Sequence, residues 1–182
     1  MEHVGNIIIA PPAVKNSFWH KAVIIVTEHT VQGTLGIVLN KPSNMSINDL
    51  GSQLNILLNV PGQVYVGGPI NKHSLTMLHT PEWSCMNTLR INNSFCISSS
   101  NDMLHRLGDG DYPRQWRLFL GMCGWAPNQL ASELNGLAPY KKETSWVTTS
   151  ANHDLVFEND GPDQWCEALD QSAKEFAQNI LT

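Results

Sequence analysis

Three side chains could move a proton or hold a charge, and each stands at or just beyond the end of an apolar run. His29 lies beside Glu28, a pairing in which the carboxylate could orient the imidazole as a general base. His79 closes the run Leu75 to His79, where a strand would end and a ligand could be met. Lys41, between Asn40 and Pro42, could place an ammonium near Gly67-Gly68-Pro69, whose freed amides would form an anion-binding nest. Such a set would suit a hydrolase or transferase acting on an anionic substrate with His29 or His79 and Lys41. Each member also has a plainer role: strand-end histidines commonly make structural hydrogen bonds, and glycine and proline pairs make tight turns. Ser100 with Asp102 reads first as a helix cap and a first-turn charge. Trp125 and Trp146 could stack on a base or anchor the core.

The segment Gly121-Met122-Cys123-Gly124-Trp125-Ala126 lies between a hydrophobic strand pattern and a helix start at Pro127. Two glycines around a small thiol, with an indole beyond, predict a sharp turn that leaves room for a neighbouring chain or ligand. It is site-like without a reactive group. The chain has no G-x-S-x-G, H-E-x-x-H, G-x-x-x-x-G-K-[ST] or strand-borne G-x-G-x-x-G, which removes the most readable enzyme classes. Cys85, Cys96, Cys123 and Cys166 form no C-x-x-C pair, and no histidine pair has ligand spacing. Reduced thiols, no metal and no cofactor are expected.

These groups need a core to position them, and 182 residues that are 42% hydrophobic and 15% charged are enough for one domain spanning the chain, 1–182. The 11 Lys and Arg against 16 Asp and Glu give a net charge of -5, and Arg90, Arg106, Arg114 and Arg117 are spread out. That balance weighs against direct nucleic-acid binding. The N-terminus lacks a basic-then-apolar signal pattern and no run is long enough for a membrane span, so a cytoplasmic protein without membrane association is expected. Nothing in the sequence identifies the partner, whether a protein or a small molecule, or an oligomeric state.

Ile7-Ile8-Ile9 and Ala22 to Val26 are continuous β-branched runs that predict strands buried on both faces. Thr30 to Gly33 is a turn, Leu35 to Leu39 its hairpin partner, and Pro42 stops that strand. Ser46 begins a helix with Asp49 at the capping-box position. Further strands are predicted at Val64 to Val66, Leu75 to His79, Thr88 to Ile91, Phe95 to Ile97 and Trp116 to Met122. Helices are predicted from Ser100 to Gly108, from Pro127 to Leu134 and from Trp165 to Ile180, the last amphipathic and docked on the sheet. The pattern is α+β: a large, mixed, mostly antiparallel sheet flanked by helices.

Glu28-His29, Gly33, Gly36, Asn40-Lys41-Pro42, Gly67-Gly68-Pro69, Leu78-His79, Ser100 with Asp102, Gly121 with Gly124-Trp125, Gln129-Leu130 with Glu133-Leu134, and Trp146 stand in the order and spacing of the YqgE/AlgH family, which the chain resembles from about Asn6 to Trp165. The resemblance implies a bacterial α+β domain of a family often called transcriptional regulators, whose biochemical activity is not established. It points to a non-enzymatic regulatory or interaction domain that binds a protein segment or small molecule in a glycine-lined groove. The groove would comprise Asn40, Lys41, Pro42, Gly67, Gly68, Pro69, His79, Gly121, Gly124, Trp125, Gln129, Glu133 and Trp146. The chain departs from the family pattern where Asn128 replaces a glycine, Met122-Cys123 replaces a tyrosine-alanine pair, and Leu137 to Thr144 lengthens a link.

Overall fold

The apolar runs do bury both of their faces. The structure, a computed structural model, describes residues 3–181. Strand β1 (Asn6–Ile9) lies between β2 (Val23–Thr30) and the later β10 (Val147–Ser150). Because successive side chains alternate across a strand, Ile7 and Ile9 enter one core and Ile8 another. The first core is covered by α4 (His153–Phe157) and α5 (Gly161–Leu181) through Leu155, Val156 and Ala168. The opposite core is closed by α3 (Gln129–Asn135) through Leu130, with Val14, Phe18 and Trp19 of the β1–β2 loop packed against it. The apolar pattern alone told of the strands; their sandwiching between two layers follows from it.

Strand β3 (Gly33–Val38) pairs antiparallel with β2 on one side and with the end of β9 (Trp116–Trp125) on the other. Beyond β9 the sheet continues through β6 (Ile70–His79), β8 (Cys96–Ser98) and β7 (Leu89–Arg90). An antiparallel pair of β4 (Pro42–Ser46) and β5 (Gln63–Val66), joined through a helix, branches from this path, with β5 parallel to the first half of β9. Among the described residues the sheet has ten strands, and its mixed character rests on that parallel pair. Helices α1 (Ile47–Leu54) and α2 (Asn101–Gly108) cover the face around Val64, Met77 and Leu118. Ser46 and Asp49 form the expected reciprocal capping box, and the Ser100 hydroxyl accepts from the Met103 amide.

Two local expectations are corrected, and a third is refined. The segment from Gly121 to Trp125 is not a turn: β9 runs through it, with Gly121 at φ +78° where β9 exchanges β5 for β3 as its neighbour on one side. Positive φ gives the bend that glycine chemistry signals, but pairing of Cys123, Gly124 and Trp125 with β3 keeps the chain extended. Strand β3 ends at Val38, before Asn40-Lys41-Pro42 as expected, and Pro42 then opens β4, an edge strand that tolerates the missing donor. Helix α3 starts at Gln129, so Pro127 lies outside it; Asn128 is its cap at φ +62°. Asparagine tolerates this left-handed conformation better than most residues, which explains a glycine as the alternative at that position.

Candidate functional site

Where β9 ends, its last residue meets α3 and the segment leading to β10, and an indole cluster forms. The Trp125 and Trp146 indole N–H groups both donate to Glu133 Oε2, at 3.0 and 2.7 Å. Gln129, one helical turn before Glu133, donates to its Oε1 at 2.8 Å and accepts from the Ala126 amide at 2.9 Å. The carboxylate is therefore held by three neutral donors, bonds to a charged acceptor that are worth about 1.5–3 kcal/mol each. Trp146 meets Trp19 edge to face at 5.8 Å and 87°, and Trp125 at 6.4 Å and 81°. These rings line a cavity of about 220 Å³ with Val14, Gly124, Gln129, Glu133, Tyr140 and Thr144.

Five of the sequence-predicted groove residues, Gly124, Trp125, Gln129, Glu133 and Trp146, thus share one cavity. The others lie elsewhere, for identifiable reasons. Asn40 is buried: its Oδ1 accepts from the Val23 amide, and its Nδ2 donates to the Lys21 and Gly161 carbonyls, tying β2 to the start of α5. Lys41 Nζ donates to the His20 carbonyl at 3.3 Å and sits 5.2 Å from the Phe18 ring centroid, and its partial burial lowers the ammonium pKa. Pro42 pairs with Tyr65, and Pro69 is exposed before β6. Gly67 and Gly68 serve close backbone contact rather than a nest. The Gly67 amide donates to the Leu120 carbonyl, and a Cβ on Gly68 would overlap the Met122 carbonyl group and come within 2.6 Å of the Cys123 nitrogen. Gly121 faces the Gly68 carbonyl in the same contact.

The histidines and Lys41 do not converge. His79 is opposite Trp116 at the start of β9, whereas Thr34, the neighbour of His29 across β2 and β3, is opposite Trp125 at its end. His79 is fully buried, and its Nδ1 lies 2.8 Å from the Thr80 carbonyl, so Nδ1 carries the proton and Nε2 accepts from the Ser98 hydroxyl at 2.9 Å. Burial holds its pKa below the ordinary histidine value. His29 contacts the Thr34 hydroxyl through Nδ1 at 2.7 Å. Among the described residues no group of three or more His, Cys, Asp or Glu side chains could hold a metal ion.

Sequence reasoning missed a second polar cluster, around Cys85. Its amide donates to Thr88 Oγ1 at 2.8 Å; Thr88 Oγ1 is 2.7 Å from Ser98 Oγ, the partner of His79. The thiol lies 3.5 Å from Ser100 Oγ. Burial alone would raise its pKa, but bonds from the Ser100, Ser98 and Thr88 hydroxyls and the Asn87 amide lower it. Also missed were Trp19 and Tyr140, which reach the indole cavity from loops. Tyr140 shares with Trp146 the segment between α3 and β10, which was its signal, whereas Trp19 is brought from the β1–β2 loop, distant in sequence, and gave none.

This fold and this site define an AlgH-like α+β protein. The AlgH-like family (DUF179) matches residues 7–177, and the chain belongs to it. A UPF0301 protein of Shewanella loihica is 31% identical over 171 residues, covering 91% of this chain and 89% of the relative. One from Shewanella denitrificans is 32% identical over 165 residues, covering 88% and 86%. The solution structure of AlgH from Pseudomonas aeruginosa superposes with a TM-score of 0.74 at 25% identity, covering 92% of this chain and 87% of that one. The crystal structure of protein DIP2367 from Corynebacterium diphtheriae has the same fold, at a TM-score of 0.68, 22% identity and coverage of 90% and 83%. Among the described residues no helix is long and apolar enough to cross a membrane.

Proposed function

We propose that this chain is a recognition domain that acts by binding, and that the cavity of Trp19, Trp125, Tyr140 and Trp146 around Glu133 is its ligand site. The observation that carries this reading is the union of convergent aromatic rings with an oriented carboxylate in one concave space. At about 220 Å³ the space is smaller than the roughly 300–1,000 Å³ of drug-sized sites, so it suits a small molecule or one side chain of a protein segment. A more open depression over His29, Thr30, Val31, Pro127 and Asn128 presents no such ring cluster. Glu133 supports binding rather than general-base catalysis, because both of its oxygens are engaged by Trp125, Trp146 and Gln129. The regulator label of the family fits a domain whose output follows ligand occupancy, and a net charge of -5 favours regulation through such a ligand over direct DNA contact.

The test is a fragment screen read by the indole N–H resonances of Trp125 and Trp146. Saturable shifts of those resonances that vanish in Trp19→Leu are expected. A screen in which fragments shift other regions and never these indoles overturns the site, and turnover of a test substrate abolished by alanine at His29 overturns the non-catalytic reading.

A further inference from the structure

We infer that the ligand of the indole cavity is a compact organic cation, an alkylated ammonium group, with Glu133 as its counter-charge; this rests on the cavity being the binding site. The first ground is an uncompensated charge. Glu133 accepts from three neutral N–H groups, and among the described residues the one ion pair is Arg106 with Asp111, remote from the cavity lining. No lysine, arginine or histidine lines the cavity. A carboxylate offers about four acceptor positions, so after three bonds Glu133 retains one and its full negative charge.

The second ground is the nature of the walls. Indole faces carry negative quadrupole density and attract cations, most strongly when water is excluded. Trp125 is 6% exposed, and the two indole N–H edges are drawn to Glu133, which fixes the ring orientations. The third ground is shape. Trp146 stands nearly perpendicular to both Trp19 and Trp125, at 87° and 81°. Perpendicular walls form a corner that a rounded head such as a trimethylammonium group touches on two sides at once, whereas a flat base would lie against one of them. An anion is disfavoured by the carboxylate, and a neutral apolar ligand would leave that charge unanswered in a partly desolvated site.

The experiment titrates the full chain with choline chloride, with N-acetyl trimethyl-lysine amide, and with 3,3-dimethylbutan-1-ol, the uncharged carbon counterpart of choline, followed by tryptophan fluorescence and indole N–H shifts. Either cation is expected to bind at least about tenfold more tightly than the neutral alcohol. Tighter binding of choline assigns a free metabolite, and tighter binding of the lysine derivative assigns a modified side chain. Glu133→Gln should erase the preference for charge. Because the amide could disturb the indoles, Tyr140→Leu, which leaves their N–H bonds intact, serves as the second variant and should weaken the cations more than the alcohol. Equal affinity for cation and alcohol, or binding of the alcohol alone, overturns the cation inference while the binding site stands. Absence of all three from a cavity that other fragments occupy has the same meaning, and a cavity that no fragment enters removes both.

Discussion

Two glycines at the same sheet junction should respond very unequally to the same added methyl group. Gly68 is buried against β9, and a Cβ there would collide with backbone, the Met122 carbonyl group and the Cys123 nitrogen, in a strand held on both sides. Backbone cannot swing aside as a side chain can, so the upper part of the overpacking range applies, about 3 kcal/mol. For a chain of this size each kcal/mol moves the melting temperature by roughly 2–4 °C, so Gly68→Ala should lose about 6–12 °C. Gly124 looks equally special in sequence, but its φ is ordinary and its Cβ would meet side chains alone: Ile70 Cδ1 at 3.0 Å, the tip of a side chain that is 42% exposed, and Leu35 Cδ2 at 3.7 Å, an ordinary contact. Ile70 can rotate away, and alanine in a strand gains about 0.5–1 kcal/mol over glycine. Gly124→Ala should therefore stay within about 3 °C of the parent. Calorimetry of both variants decides. A Gly124→Ala loss as large as that of Gly68→Ala would refute the claim that close strand contact, rather than glycine chemistry as such, governs this region.

Arg117 is buried, and its guanidinium donates to the Leu39, Phe157 and Asn159 carbonyls and to Gln164, bolting β9 to the α4–α5 junction. Arg117→Leu should cost at least about 1–3 kcal/mol in denaturant unfolding and raise amide exchange in α4, since carbonyls are left unsatisfied. Cys85 should alkylate near neutral pH in the native protein, whereas Cys123, buried with a pKa pushed up to about 12, should react only after unfolding; peptide mass mapping reads both. Burial lowers the folded pKa of His79, so the unfolded chain binds the extra proton first: its contribution is whole above about pH 6.5 and is lost as pH falls toward the folded value. The fall in melting temperature between pH 7 and 5 should be shallower in His79→Gln. At Asn128, φ +62° makes Asn128→Ala destabilising by about 1 kcal/mol and Asn128→Gly nearly neutral, measured as shifts in the unfolding midpoint.

What was legible in the sequence was what neighbouring residues decide among themselves. Ile7 to Ile9 and Val23 to Val26 announce strands with two buried faces because every position is apolar. The Ser46 and Ser100 caps are equally local, each a hydroxyl three residues from the amide it serves. Strands β4 and β10 escaped because Pro42–Ser46 and Val147–Ser150 are mostly polar edge strands whose evidence is the partner they pair with. The stretch from Gly121 to Trp125 was misjudged for the same reason. Its glycine reports a bend at one φ, but the hydrogen bonds that keep the bent chain in the sheet come from β3, far away in sequence.

The same distinction separates the residues gathered into the cavity from those that were not. Gln129 and Glu133 share a helical face by spacing alone, and Trp125 is the last residue of the strand that delivers them. Their union with Trp146 depends on one carboxylate that both indoles choose. Asn40, Gly67, Gly68 and Gly121 are instead spent inside the sheet junction, where a side-chain amide replaces missing backbone partners and absent side chains let strands touch. These two demands are linked through β9. The close contact of Gly68 with Met122 and Cys123 sets where β9 passes, and two residues later that path sets where the Trp125 ring stands against Glu133. Junction glycines and cavity aromatics therefore serve one strand at a sheet fork: the glycines fix the path of β9, and the aromatics at its end close the cavity around Glu133.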